Sequence, residues 1–251
     1  DAAAFIAAGC SVNGIDLSAE HVRMACAAGA HCVQASLFDL PVGDGRIRPN
    51  ADCGYKAATA ASTAPVVEGS IGAGAGATIG KSGGGGRAMK AGIGSAAIQL
   101  PNGLVVAALV AVNAYGDVID PSSGKVVAGV RTADGRSLAD ARTLLRAGTI
   151  GFVPNGQNTT LGIVATNAKL TKTEAKRVAQ MTHDGYARAI APVHTPVDGD
   201  AIFALATGTR AGTADVGLIG ALGADVMATA IVRAAQQATS IPNYPALRDL
   251  R

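Results

Sequence analysis

The sequence predicts a layered α/β protein, and three observations carry that expectation. Apolar runs of strand length, bounded by turn residues, are followed by stretches with helical periodicity and recognisable N-caps. Hydrophobic residues make up 49% of the 251-residue chain but aromatics only 3%, so Ala, Val, Leu and Ile must fill the core and its layers must pack closely. Glycine is abundant, at 33 residues, and is densest between Gly69 and Gly94, where it permits loops or close backbone approach. A chain of this length with 16% charged residues can bury a sizeable core, so one domain over residues 1–251 is expected.

The elements follow in order. Asp16-Leu17-Ser18-Ala19-Glu20 opens a helix with Ser18 as N-cap and Gly29 as the stop, and a turn-rich stretch from Leu40 to Asn50 follows. A small-residue helix is expected from about Ala51 to Ala61, ahead of Pro65. After the glycine-rich part, Ala96–Leu100 and Leu104–Val112 read as strands joined by the hairpin signal Pro101-Asn102-Gly103, and the second is apolar on both faces. Gly116 to Gly129 reads as a strand pair turned at Pro121–Gly124. Ser137 and Asp140 suggest a capping box for a short helix ending before Gly148, and Pro154-Asn155-Gly156 marks a turn. Leu161–Thr166 is a third strand. Thr171-Lys172-Thr173-Glu174 caps a helix whose inner face is Ala175, Val178, Ala179, Thr182, Gly185, Tyr186 and Ala189. Ala201–Ala206 is expected as a buried strand, and Val216–Ala235 as a helix with Gly217, Gly220 and Gly223 at close-packing positions. The tail from Ser240, with Pro242 and Pro245, is expected to be extended.

Bulk properties exclude several classes. A formal charge of +3 is not gathered into a basic run, so no nucleic-acid partner is expected. Cys10, Cys26, Cys32 and Cys53 form no Cys-x-x-Cys pair and have no histidine at ligand spacing, which points to reduced thiols in a cytoplasmic protein and to no metal. The longest unbroken apolar run, Leu104–Val112, is far below the ~20 residues of a membrane span, and no secretory leader is visible, so no membrane partner is expected.

Three motifs require weighing. Gly74 to Ser82 ends in Gly-Lys-Ser like a phosphate loop, but Ala75 stands where the first glycine is required and four glycines follow Ser82 instead of a helix. No nucleotide or other cofactor is therefore expected. Asp16 after Ile15 could mimic a ribose-binding acid, yet no glycine-rich motif precedes it, and an ordinary helix start suffices. Asn158-Thr159-Thr160 matches a glycosylation triplet, but its position after a tight turn, at the mouth of an apolar strand, is what a self-cleaving nucleophile needs. Attack of the Thr159 hydroxyl on the Asn158 carbonyl gives an ester that water opens. The freed α-amine, whose pKa is near 8 in model peptides, then serves as base for its own hydroxyl. Taken by itself, such a threonine is more commonly a β-branched strand residue.

A resemblance sharpens this reading. Gly72–Lys81, Gly92–Pro121 and above all Asn158–Gly208, with Asn-Thr-Thr-Leu-Gly-Ile-Val-Ala-Thr-Asn and Pro-Val-His-Thr-Pro-Val-Asp-Gly-Asp-Ala-Ile-Phe-Ala-Leu-Ala-Thr-Gly, resemble the L-aminopeptidase/D-esterase family that includes the nylon-oligomer hydrolase. The likeness runs from about Leu37 to Ala235. It implies a four-layer αββα sandwich of N-terminal-nucleophile-hydrolase type, cleavage of Asn158–Thr159 into pieces 1–158 and 159–251, and Thr159 as nucleophile. By the same resemblance Lys81 is a site lysine, Asn113 stabilises the oxyanion, and Asp198 and Asp200 orient the nucleophile and its amine. A tetramer of processed protomers is implied as well. Phe38 stands where some members use a tyrosine, and the family's N-terminal portion has no counterpart here, so the domain is expected to be N-terminally incomplete.

The expected activity is thus an autoprocessed aminopeptidase, amidase or esterase acting on small N-terminal amino-acid amides, peptides or esters. A narrower alternative is hydrolysis of 6-aminohexanoate oligomers. An alternative of another class is a catalytically idle structural or ligand-binding homologue, against which the retained Thr159, Lys81, Asn113, Asp198 and Asp200 argue.

Overall fold

A computed structural model describes Val42 and residues 51–62, 64–151 and 158–250. The helix expected at Ser18, all of the cysteines' side chains, Phe38 and the Pro154-Asn155-Gly156 turn lie outside the described residues. Among the described residues the helices are α1 (Ala51–Thr59), α2 (Ala141–Arg146), α3 (Lys172–Ala189) and α4 (Val216–Gln236). The strands are β1 (Thr78–Ile79), β2 (Met89–Lys90), β3 (Ile93–Gln99), β4 (Val105–Ala111), β5 (Asp117–Ile119), β6 (Val126–Ala128), β7 (Leu161–Thr166), β8 (Ile190–Ala191) and β9 (Ala201–Ala206). The α/β class is as predicted.

The central sheet has the order β3-β4-β7-β9, antiparallel except for the parallel β7–β9 pair, and a smaller sheet has the order β6-β5-β8. Strand β4 is buried on both faces because two cores share it. Val106, Ala108 and Val110 point into the main core with α3 and α4, whereas Leu109 and Ala111 meet Ala73 and Ile93 on the other side. Helices α3 and α4 pack on each other and on this sheet. Gly220 and Gly223 allow the approach, since a methyl group there would meet Met181 and Thr182, but Gly217 faces no neighbouring element. Helix α4 is long and apolar enough to cross a membrane by length and composition, with mean hydropathy 1.6, but half of its apolar window is buried inside the protein. The sequence reading missed this because charged residues interrupt the run.

Several local expectations change. Thr171 and Glu174 do form the reciprocal capping box of α3. Helix α2, by contrast, is capped by Asp140 alone, whose carboxylate accepts from the Arg142 N–H; Ser137 instead pairs with Thr132 across a turn, because Asp140 adopts φ 58° and turns the chain there. Strand β9 is half-buried, as an edge strand must be, rather than fully buried. The tail is not extended throughout: Ile241 and Tyr244 close a turn and Leu247–Asp249 forms a 3₁₀ turn. Within the glycine-rich segment lie β1 and β2, two residues each and too short to show any periodicity.

Candidate active site

The site gathers where the parallel strands β7 and β9 begin. Asn158 and Thr159 lead into β7, Asp198 to Asp200 lead into β9, and Asn158 bridges Asp198 in parallel register. Adjacent parallel strands bring their entry residues side by side, which is why a threonine and a carboxylate pair forty residues apart in sequence converge here. Asn113, just past the end of β4, and Lys81, after β1, complete the group.

At the Asn158–Thr159 bond, the scissile-candidate carbonyl oxygen of Asn158 accepts two hydrogen bonds. The Thr159 hydroxyl lies 2.6 Å from it and the Gly199 N–H donates at 2.8 Å. Gly199 has to be glycine: a methyl group at that position would lie 2.8 Å from Thr159 Oγ1. The Thr159 N–H donates to the Asn113 carbonyl at 2.9 Å, so the atom that cleavage would convert to an amine is already held. Thr159 itself is half-buried at the rim, while Asn158 and Thr160 on either side are buried.

Asn113 and Lys81 form one unit. Asn113 is fully buried, and its side-chain oxygen accepts from the Thr78 N–H at 3.0 Å and from Lys81 Nζ at 2.7 Å. Those bonds fix which end of the amide is the acceptor and leave Nδ2 as its donor end. Gly80, at φ 69°, directs the chain into the 3₁₀ turn Lys81–Gly83; a methyl at Gly80 would run into the backbone at Gly129 and Val130. That turn is not the start of an α-helix, so the Gly-Lys-Ser here lacks the helix N-terminus on which a phosphate loop depends.

The two carboxylates sit beside Thr159 without bonding to it in the uncut chain. Asp198 accepts from the Tyr115 N–H at 3.1 Å and from the Thr195 hydroxyl at 2.5 Å. Asp200 accepts from the Thr160 N–H at 2.9 Å through one oxygen and from His194 Nδ1 at 2.9 Å through the other. Burial, with only 3% of the Asp200 side chain exposed, pushes its carboxyl above the ordinary aspartate value; the nearby Asp198 adds to this, and the Thr160 N–H and His194 oppose it. The Tyr115 hydroxyl, which donates to the Gly151 carbonyl at 2.5 Å, is raised by burial and by Asp198. All five sequence-predicted site residues thus converge. Gly199, Tyr115, Thr195 and His194 were not singled out. His194, Thr195 and Gly199 lie in the quoted Pro-Val-His-Thr-Pro-Val-Asp-Gly-Asp stretch and Tyr115 in the Gly92–Pro121 stretch, so the motif resemblance was the signal that could have found them. Among the described residues no cluster of His, Cys, Asp and Glu could hold a metal ion.

Comparison with known proteins identifies the family to which the chain is similar. The sequence profile of Peptidase family S58 matches residues 16–246, beginning earlier than the Leu37 limit inferred from the motifs. An uncharacterized aminopeptidase of Mycobacterium tuberculosis is 36% identical over 236 residues, covering 86% of this chain and 66% of the relative. A 6-aminohexanoate-oligomer endohydrolase of Kocuria is 27% identical over 251 residues, covering 91% of this chain and 68% of that protein. Among solved structures, a β-aminopeptidase of Burkholderia superposes with a TM-score of 0.54 at 25% identity, over 78% of this chain and 54% of that one. The chain therefore spans just under two thirds of the mycobacterial relative's length.

Proposed function

The chain belongs to peptidase family S58, and from that premise we propose that it is an N-terminal-nucleophile aminopeptidase or amidase that cuts its own Asn158–Thr159 bond. The observation that carries the proposal is the Asn158 carbonyl held between the Thr159 hydroxyl and the Gly199 N–H. Self-cleavage runs in two steps. Thr159 Oγ1 bonds to the Asn158 carbonyl carbon while the oxygen takes charge toward the Gly199 N–H; the C–N bond then breaks as the proton given up by the hydroxyl passes to the Thr159 nitrogen, leaving an ester between Asn158 and Thr159 Oγ1 and an amine on Thr159. Water then hydrolyses that ester, leaving a carboxylate on Asn158 and a free amine and hydroxyl on Thr159.

In turnover the amine takes the proton of its own hydroxyl as Oγ1 attacks a substrate amide or ester, and returns it to the leaving amine or alcohol as the substrate C–N or C–O bond breaks; water then hydrolyses the acyl-enzyme. The Asn113 carbonyl orients the amine, Lys81 and the Asn113 amide stabilise charge on the substrate oxygen, and Asp198 and Asp200 keep the surroundings of the amine anionic. Small N-terminal amino-acid amides, peptides or esters are the substrate class favoured by the 36% identity to an aminopeptidase, against 27% to the oligoamide hydrolase. The active form is a cytoplasmic tetramer of processed protomers in this reading.

Intact-mass measurement of purified protein tests it. Two fragments meeting at Asn158 and Thr159, and a single uncut species for Thr159→Ala, are expected. An unprocessed wild type that still hydrolyses amino-acid anilides, or one that is inert, would overturn the proposal.

A further inference from the structure

His194 has no task in the chemistry above, yet its placement is unusual. It sits in the loop between β8 and β9 at φ 52°, a left-handed conformation that non-glycine residues seldom adopt. Both ring nitrogens are engaged: Nδ1 with Asp200 Oδ2 at 2.9 Å and Nε2 with Nδ1 of His183 at 3.3 Å. The ring lies over Tyr186 at 28° between planes and meets His183 edge-on, with centroids 4.9 Å apart. The other end of this cluster grips the residue after the nucleophile. Asp200 Oδ1 takes the Thr160 N–H, and the buried Tyr186 hydroxyl donates to the Thr160 carbonyl at 3.2 Å.

We propose that His194 is a positioning residue that acts through Asp200, holding its carboxylate on the Thr160 N–H and linking it to solvent, with His183 bracing the His194 ring. The inference rests on the reading of Thr159 as nucleophile. With both rings neutral, a directed chain forms: His183 Nδ1–H donates to His194 Nε2, and His194 Nδ1–H donates to Asp200. Asp200 is nearly sealed from water, whereas the His194 side chain is 39% exposed, so His194 is the polar route between Asp200 and solvent. The titratable groups around His194 are Asp200 and Asp198 from the β9 loop, and His183, Asp184 and Tyr186 from α3. Burial and His194 both lower His183 below the ordinary histidine value, which keeps it neutral and able to complete the chain near neutral pH. A histidine serving only to fill the loop would need neither the left-handed backbone nor a carboxylate partner.

Two substitutions separate position from mere structure. His194→Asn tolerates the left-handed backbone and keeps a donor near Nδ1, whereas His194→Ala removes it. His194→Ala is expected to slow the Asn158–Thr159 cut and to lower kcat of the processed enzyme roughly 10- to 100-fold, the scale of a misplaced catalytic group, with KM within about twofold. The acid limb of its kcat profile should move, and His194→Asn should recover most of kcat without restoring that limb. Wild-type kcat and pH profile in folded His194→Ala, or a rise in KM alone, would overturn the inference. In an uncut Thr159→Ala background, hydrogen exchange at the Thr160 amide gives a readout that does not depend on cleavage: it should quicken at least severalfold when His194→Ala releases the Asp200 carboxylate that holds that N–H. Unchanged protection at Thr160 would reject the coupling even if Thr159 proves to be the nucleophile. Lost protection in His194→Ala together with a wild type that never cleaves would instead reject only the nucleophile reading.

Discussion

Lys81 and Lys90 share one glycine-rich segment, and the structure gives them different work. Lys90, on β2, is fully buried, and its Nζ donates to the carbonyls of Gly74, Ala77 and Ala91 at 2.7, 3.0 and 2.7 Å. It ties the irregular backbone of that segment together by supplying donors to three buried carbonyls, of which Ala77's also accepts the Ala91 N–H. Lys81 is half-buried and turns instead to the Asn113 side chain at the mouth of the central sheet. The same contrast holds for two aspartates. Asp117 is fully buried between the Val130 and Ala141 N–H groups, each 2.7 Å away, and both partners are main chain. Asp200 is buried as well, but one of its two partners is a histidine that reaches solvent. Burial and a displaced pKa therefore do not identify a working group by themselves; a partner that can move a proton, or a neighbouring reacting atom, does.

The largest expected effect breaks the lysine pair apart. Lys90→Met leaves three carbonyls without that donor and should cost ~3 kcal/mol or more of unfolding free energy, seen in urea melts or as failure to fold. Lys81→Met should cost under ~1 kcal/mol yet lower kcat about 100-fold. Equal losses of stability in the two variants, with no difference in kcat of the folded protein, would remove the distinction.

The aspartates are sharpened by pH. Burial pushes Asp117 up from its ordinary 3.8 to about 6, outweighing the two N–H groups that favour the anion. The folded state thus holds the proton more tightly than the unfolded chain. Its contribution is full below about pH 4 and is lost as pH rises through about 6, a change of about 3 kcal/mol for a shift of about two units. Asp200 is raised in the same direction, so it adds to the same trend. Comparing urea midpoints from pH 4 to 7, Asp117→Asn should flatten most of the fall and leave kcat of the folded protein unchanged. A wild type whose Asp117-linked stability rises with pH would contradict the assignment.

Much of the scaffold was legible because its signals are local. The capping residues Thr171 and Glu174, the apolar run of β4 and the hairpin turn at Asn102-Gly103 each act within a few residues. What was not legible depends on distant partners. Asp117 reads as an ordinary strand-end acid until Ala141 is brought beside it, and Lys90 reads as a surface charge until three carbonyls surround it. At the site, Thr159, Lys81, Asn113, Asp198 and Asp200 came through motif resemblance rather than periodicity, since convergence of the β7 and β9 entries is a property of parallel pairing. The Gly199 N–H carries no side-chain signature at all.

The capping box of α3 supplies the smallest and most local prediction. Thr171 accepts the Glu174 N–H at 3.3 Å, and the Glu174 carboxylate takes the Thr171 N–H at 2.7 Å, all in exposed positions at the end of α3 far in sequence from His183 and Tyr186. Thr171→Ala removes one half of this exchange and should cost ~1 kcal/mol, with helix fraying confined to the first turn. Because Tyr186 lies beyond three further turns of a helix buried against α4, the grip on the Thr160 carbonyl should persist and kcat should not move. Hydrogen exchange would show faster amides at residues 172–175 and unchanged protection near Tyr186. Should kcat fall together with protection at Tyr186, α3 would be acting as one cooperative lever on the site, and the separation between scaffold and chemistry argued from the two lysines would fail on this helix.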